Sequence, residues 1–243
     1  MNWSNRSILG VAIEDSSITV CELRGLTNDR PEQLRNVRGA VFRLHEGLSF
    51  DQPVALGRAL GEFLSEHRFI ARRAAVGLPA NWFMVQPNRL PPGDDEESLA
   101  GLRLMAERAF VIEASTLVMD AWLDSGEGDA RQAVLVAAHK DKVEAIQTMA
   151  EQARLKLFSV SSSLMAIAAA MKLSTARKSV LLRIAPTNVE VLHRQGDNIA
   201  LFKPLSVAGP TSEDGASEIH WMQRLASELR RMTVSLPSTN GLI

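Results

Sequence analysis

The feature that most constrains this 243-residue chain is an order of elements that occurs twice. Near the start, Ser7 to Ile13 is apolar, Glu14 to Ser17 reads as a turn, and Ile18 to Leu23 alternates. Val37 to Leu44 then predicts a third antiparallel strand. A helix follows from Pro53 to about His67, with Asp51 as a candidate cap and Leu56, Leu60, Phe63 and Leu64 on one face. Near the end, Ser179 to Ile184, Val189 to Arg194 and Ile199 to Leu205 read as three strands. A helix over about Ala216 to Leu236 follows, its apolar face marked by Ile219, Met222, Leu225, Leu229 and Met232. Two βββα units in one chain predict an internally duplicated α/β protein.

The middle reads as different pieces. Ala74 to Leu78 is a short buried strand, and Pro79 to Pro87 is a strand-like run bounded by prolines that carries Trp82, Phe83 and Met84. Pro91-Pro92-Gly93 is a firm break. Asp94 and Asp95 open a helix whose face is marked by Leu99, Leu102 and Met105, and Ser115 to Leu123 is a strand. After a turn at Gly126 to Asp129, Ala133 to Ala138 is a continuous apolar run, as buried strands are. A helix over His139 to Leu155 turns Val143, Ile146 and Met149 inward. Leu157 to Val160 is a strand, and Ser161, Ser162 and Ser163 cap a helix over Leu164 to Leu173.

Composition removes several function classes. Apolar residues make up 46% of the chain, charged residues 23%, and the net charge is −1, so no general pull toward nucleic acid is expected. Cys21, the one cysteine, cannot form an intramolecular disulfide and reads as a small buried hydrophobe of a reducing compartment. The apolar run at Ile8 to Ile13 is too short for a signal-peptide core, and Leu164 to Met171 is far below the roughly 20 residues that span a bilayer. These runs predict a soluble cytoplasmic chain. His45, His67, His139, His193 and His220 lack metal-ligand spacing, and no nucleophile-elbow or Walker sequence is present. Asp94 to Glu97 reads as a solvated first helical turn favoured by the helix dipole. No metal and no cofactor are expected.

Several segments in order carry a resemblance. They are Leu9 to Ile13, Ala74 to Pro79, the alanine-rich strand Val134 to Ala138 entering His139-Lys140-Asp141-Lys142-Val143, then Ala153 to Leu155, and Leu225 to Arg231. In these the chain resembles the actin-like platform proteins of type IV pilus assembly and type II secretion: PilM, its relative FtsA, and the cytoplasmic part of GspL. The resemblance implies an actin-like ATPase (ribonuclease H-like) fold with two βββα-type halves. It places residues 1–72 and 133–175 in a first subdomain, 73–132 in an inserted small α+β subdomain, and 176–243 in a shortened second subdomain. PilM carries an additional subdomain where this chain has only the link Ala208 to Glu218. The chain is then either a compact relative or a cytoplasmic piece of a longer protein, as in GspL.

The departures from that family bear on chemistry. Its two phosphate loops each carry an Asp followed two residues later by a Gly; the Gly lets backbone approach phosphate and the Asp helps hold the metal. The matching positions here are Ala12 and Glu14, and Arg183 and Ala185, the last followed by Pro186, which has no N–H to donate. Loss in both loops implies a scaffold that does not hydrolyse ATP, with Arg183 expected to pair with an acidic neighbour such as Glu14. The resemblance further implies a peripheral place at the inner membrane and a groove for the cytoplasmic segment of a membrane partner, with Trp82, Phe83 and Met84 as partner-binding candidates. A secretion ATPase is a further partner, and a homodimer is open. An active ATPase of the same fold and a small-molecule kinase relative are the rival readings, and nucleotide binding separates them from the scaffold.

Overall fold

A computed structural model of the chain describes residues 7–24, 35–89, 95–123, 132–171, 178–185, 188–195, 198–207 and 215–235. The turns expected at 25–31, 91–93 and 126–129, Asp94 as a helix opener, and Pro186 lie outside them. The chain divides into two compact units. One comprises Met1–Trp82, Ser115–Val118 and Ala138–Ile167; the other comprises Phe83–Ala114, Met119–Ala137 and Ala168–Ile243.

The first unit is built on a five-stranded sheet in the order β3-β2-β1-β4-β8. Its strands are β1 (Ile8–Ile13), β2 (Ser17–Arg24), β3 (Arg35–Arg43), β4 (Arg73–Leu78) and β8 (Lys156–Ser162). The first three form an antiparallel meander, while β4 and β8 join in parallel. Alternation fixes the face: Leu9, Val11 and Ile13 of β1 and Ile18 and Val20 of β2 are buried, as are Ala74, Val76 and Leu78 of β4. Cys21, on the other face of β2, is half-buried rather than a core residue. β4 is therefore a strand of the main sheet, although the resemblance starts the inserted segment at 73.

Two helices complete this core, α1 (Pro53–Glu66) and α3 (Lys140–Gln152). Leu56, Leu60 and Leu64 of α1 and Ile146 and Met149 of α3 are fully buried, each contributing roughly 1.5–3 kcal/mol. The helices meet closely at Gly57 and Gly61. A Cβ at Gly57 would lie 2.4 Å from the Met149 carbonyl oxygen, and one at Gly61 would lie 3.2 Å from Ala153 Cα. Phe63 is only half-buried and packs on Phe42 and on His67. Asp51 is not the cap of α1: Gln52 holds that position without a side-chain bond, and Asp51 accepts from Lys142 Nζ at 3.2 Å. Ser162 does cap α4 (Ser163–Ala170), its Oγ accepting the Met165 N–H at 3.5 Å.

Glu22 is the unexpected member of the inward face. Its side chain is fully buried and accepts the N–H groups of Ile70 and Ala71 at 3.3 and 3.1 Å. The loop entering β4 thus has its backbone donors satisfied by a carboxylate from β2.

The second unit holds two three-stranded sheets. The antiparallel one, β11-β10-β9, consists of β9 (Lys178–Ile184), β10 (Val189–Gln195) and β11 (Asn198–Leu205). It repeats the order of the β3-β2-β1 meander and is likewise followed by a helix, α5 (Gly215–Ser235). Val189, Val191, Leu205, Leu225 and Met232 make its core. The expected α5 face is buried only along its C-terminal half, since Ile219 and Met222 are about half exposed. The remaining sheet is β5-β7-β6, from β5 (Phe83–Arg89), β7 (Gln132–His139) and β6 (Leu117–Leu123). In α2 (Asp95–Phe110), Leu102 and Ala106 are buried, and Met105 is not the face residue it was expected to be.

Candidate functional site

In each meander the first hairpin is closed by the same kind of backbone bond. In the first, the Glu14 N–H donates to the Ser17 carbonyl at 2.9 Å, and Ala12 lies opposite Thr19. In the second, the Ala185 N–H donates to the Asn188 carbonyl at 2.9 Å, and Arg183 lies opposite Glu190. Counting from the closing bond, Ala12 corresponds to Arg183 and Glu14 to Ala185. The four positions singled out in the sequence are thus two structural equivalents, each present twice.

Their side chains are committed locally. Ser17 Oγ donates to Glu14 Oε2 at 3.2 Å, which holds this carboxylate over its own turn. Ala12 is an internal strand position, paired with Thr19 on one side and Gly77 on the other. Arg183 meets a partner within its own hairpin: Nη1 lies 3.2 Å from Oε2 of Glu190, whose side chain is 1% exposed. A buried carboxylate facing a guanidinium across a strand pair is a fixed ion pair. Sequence reasoning passed over Glu190. It stands between Val189 and Val191, both buried, so a strand buried on both faces was its only signal.

The aromatic segment is divided between the units. Trp82 closes a short 3-10 turn (Ala80–Trp82) and packs edge-on to Phe50, centroids 5.1 Å apart, with Lys142 Nζ 5.7 Å from its ring centroid. Phe83 opens β5 and packs on Phe202 at 5.9 Å. Both rings and Met84 are half-buried. Phe50 and Lys142 were not foreseen as neighbours of Trp82.

Among the described residues no three His, Cys, Asp or Glu side chains gather as metal ligands do, and no helix is long and apolar enough to cross a membrane.

No family model matches the sequence, and no curated protein matches it. Solved structures do. The chain superposes on a chain of a PilM–PilN type IV pilus biogenesis complex with a TM-score of 0.69 at 19% identity, over 94% of this chain and 75% of that one. The cytoplasmic domain of EpsL, an inner membrane component of the type II secretion system of Vibrio cholerae, gives 0.56 at 13%, over 82% and 71%. A Bacteroides thetaiotaomicron protein with an actin-like ATPase fold and unknown function gives 0.51 at 9%, over 93% and 78%. The chain has the actin-like ATPase fold. The expected fold class and the likeness to pilus and secretion proteins both hold.

Proposed function

We propose that this chain is a non-catalytic actin-like scaffold of the inner-membrane assembly platform of a type IV pilus or type II secretion system. It binds the cytoplasmic segment of a membrane partner. The observation that carries this reading is the matched pair of hairpins. At equivalent positions they hold Ala12 with Glu14 and Arg183 with Ala185, where the resembled family has Asp and Gly. A carboxylate at Glu14 repels phosphate, neither Ala12 nor Arg183 supplies the carboxylate that would help hold a metal, and the Arg183 guanidinium is engaged by Glu190. The likeness to a chain solved in a PilM–PilN complex supports the partner class, with Trp82, Phe83 and Met84 as the contact segment.

The test is titration calorimetry of the purified chain with Mg-ATP, followed by titration with synthetic cytoplasmic segments of pilus and secretion membrane proteins. The expected result is no heat at near-millimolar nucleotide and saturable binding of one peptide, weakened by Trp82→Ala. Saturable ATP binding with phosphate release would overturn the scaffold reading in favour of an ATPase.

A further inference from the structure

At one end of the first unit's sheet, two helix-to-strand connections carry the same unusual feature. α1 and α3 both end in a Schellman turn. Phe69 N–H donates to the Leu64 carbonyl and Arg68 N–H to that of Ser65; Leu155 N–H donates to Ala150 and Arg154 N–H to Glu151. The residue that must turn left-handed is an arginine in each case, Arg68 at φ 57° and Arg154 at φ 56°. Glycine adopts this conformation without strain and is the usual occupant. Phe69 and Leu155, next in the chain, are buried, so the arginines are held at the surface between fixed points.

The strands that follow extend the charge. Arg73 and Lys156 are register partners in β4 and β8, and the Lys156 N–H donates to the Arg72 carbonyl at 2.6 Å. Arg68, Arg72, Arg73, Arg154 and Lys156 are all exposed. In segments 66–73 and 151–158 the acidic residues are Glu66 and Glu151, both exposed, so five positive charges face two negative ones. Arg38 adds a guanidinium that donates to the carbonyls of His67 and Arg68. Two large apolar side chains stand among these charges: Ile70 is 54% exposed, and Phe158 is 62% exposed with the Arg73 guanidinium 4.7 Å from its ring centroid.

From this juxtaposition we infer that the end of the sheet formed by the α1–β4 and α3–β8 connections docks on the headgroups of an anionic phospholipid bilayer. The charges lie along two connections and do not converge on a point, an arrangement that a negatively charged plane satisfies. Phe158 and Ile70 supply the apolar contacts that interfacial binding requires. The chain's net charge is only −1, so this end is set apart from the molecule as a whole. The surface lies at the opposite end of β1 from the Glu14–Ser17 turn, because β4 begins beside Leu9. The inference deepens the proposed peripheral location by naming the surface that makes it.

The experiment is co-sedimentation of the full chain with vesicles of phosphatidylcholine alone and of phosphatidylcholine mixed with phosphatidylglycerol, at low and raised salt. Binding is expected only to the anionic vesicles and should weaken with salt. Arg73→Glu with Lys156→Glu should abolish it. Arg68→Gly with Arg154→Gly should lower affinity roughly fivefold per charge while keeping or raising Tm, which separates loss of binding from loss of fold. Phe158→Ser should weaken binding without changing its salt dependence. Equal binding to neutral vesicles, no binding to anionic ones, or wild-type affinity in the glycine pair would each overturn the inference. Capture by polyglutamate without vesicle binding would also overturn it, assigning the patch to an acidic protein. Nucleotide and peptide titrations on the same variants should match wild type, so failure here leaves the scaffold reading standing.

Discussion

Gly57→Ala is expected to destabilise the protein by about 2–3 kcal/mol, and Gly57→Leu to prevent folding of the first unit. In an exposed helix the alanine change would be favourable by about 1 kcal/mol, because glycine is a poor helix former. Here the sign reverses. The added Cβ would meet the Met149 carbonyl oxygen at 2.4 Å and Gln152 Cβ at 2.6 Å. The first of these is backbone of α3 and cannot rotate away, so the helices must separate. Leu56, Leu60, Ile146 and Met149, all fully buried, would then lose contact together. Gly61→Ala is milder, about 1 kcal/mol, since its nearest atom is 3.2 Å away. Thermal unfolding followed by circular dichroism checks the order; Tm should fall by about 5–10 °C for Gly57→Ala. An unchanged or raised Tm would mean that α1 and α3 do not pack through this seam.

That seam shows where sequence reading stops. The apolar face of α1 was legible from the spacing of Leu56, Leu60 and Leu64, because periodicity reports which side of a helix leaves water. The same spacing does not report how close the neighbouring helix comes, and glycines at 57 and 61 look like helix-weakening residues. The first meander was legible for a related reason: alternation and the turn residues at Glu14 to Ser17 predict antiparallel neighbours, and β1 to β3 pair so, while β9 to β11 are strands as expected. Buried charge was not legible. Glu22 and Glu190 stand in strand runs whose alternation reads polar as outward, yet both are fully buried. Each is stabilised by a partner from another segment, the Ile70–Ala71 backbone in one case and Arg183 across the strand pair in the other. The four positions that the resemblance matches to phosphate loops could be picked out only through the order of several motifs. Their equivalence emerged once the two closing bonds, Glu14 to Ser17 and Ala185 to Asn188, gave a common origin for counting.

Arg183→Ala is expected to cost the second unit about 3–5 kcal/mol, more than the truncation of an exposed arginine. The reason lies in Glu190. Its side chain is 1% exposed, and Arg183, itself only 15% exposed, brings a guanidinium to within 3.2 Å. Removing the cation leaves that carboxylate without this compensation in a low-dielectric setting, where an unbalanced charge is costly. The neighbours on the same strand, Val189 and Val191, are fully buried in the core with Leu205, Leu225 and Met232, so the carboxylate cannot swing out without opening that packing. The double variant Arg183→Leu with Glu190→Leu should restore most of the loss, because a buried pair replaced by apolar groups of similar volume is often neutral. Urea unfolding of the two single variants and the double one gives the coupling directly. A small loss in Arg183→Ala, with the double variant no better, would mean that the pair is not coupled. The nucleotide titration then becomes the deciding measurement. A large coupling instead gives Arg183 a structural reason to stand where it does, as the scaffold reading requires.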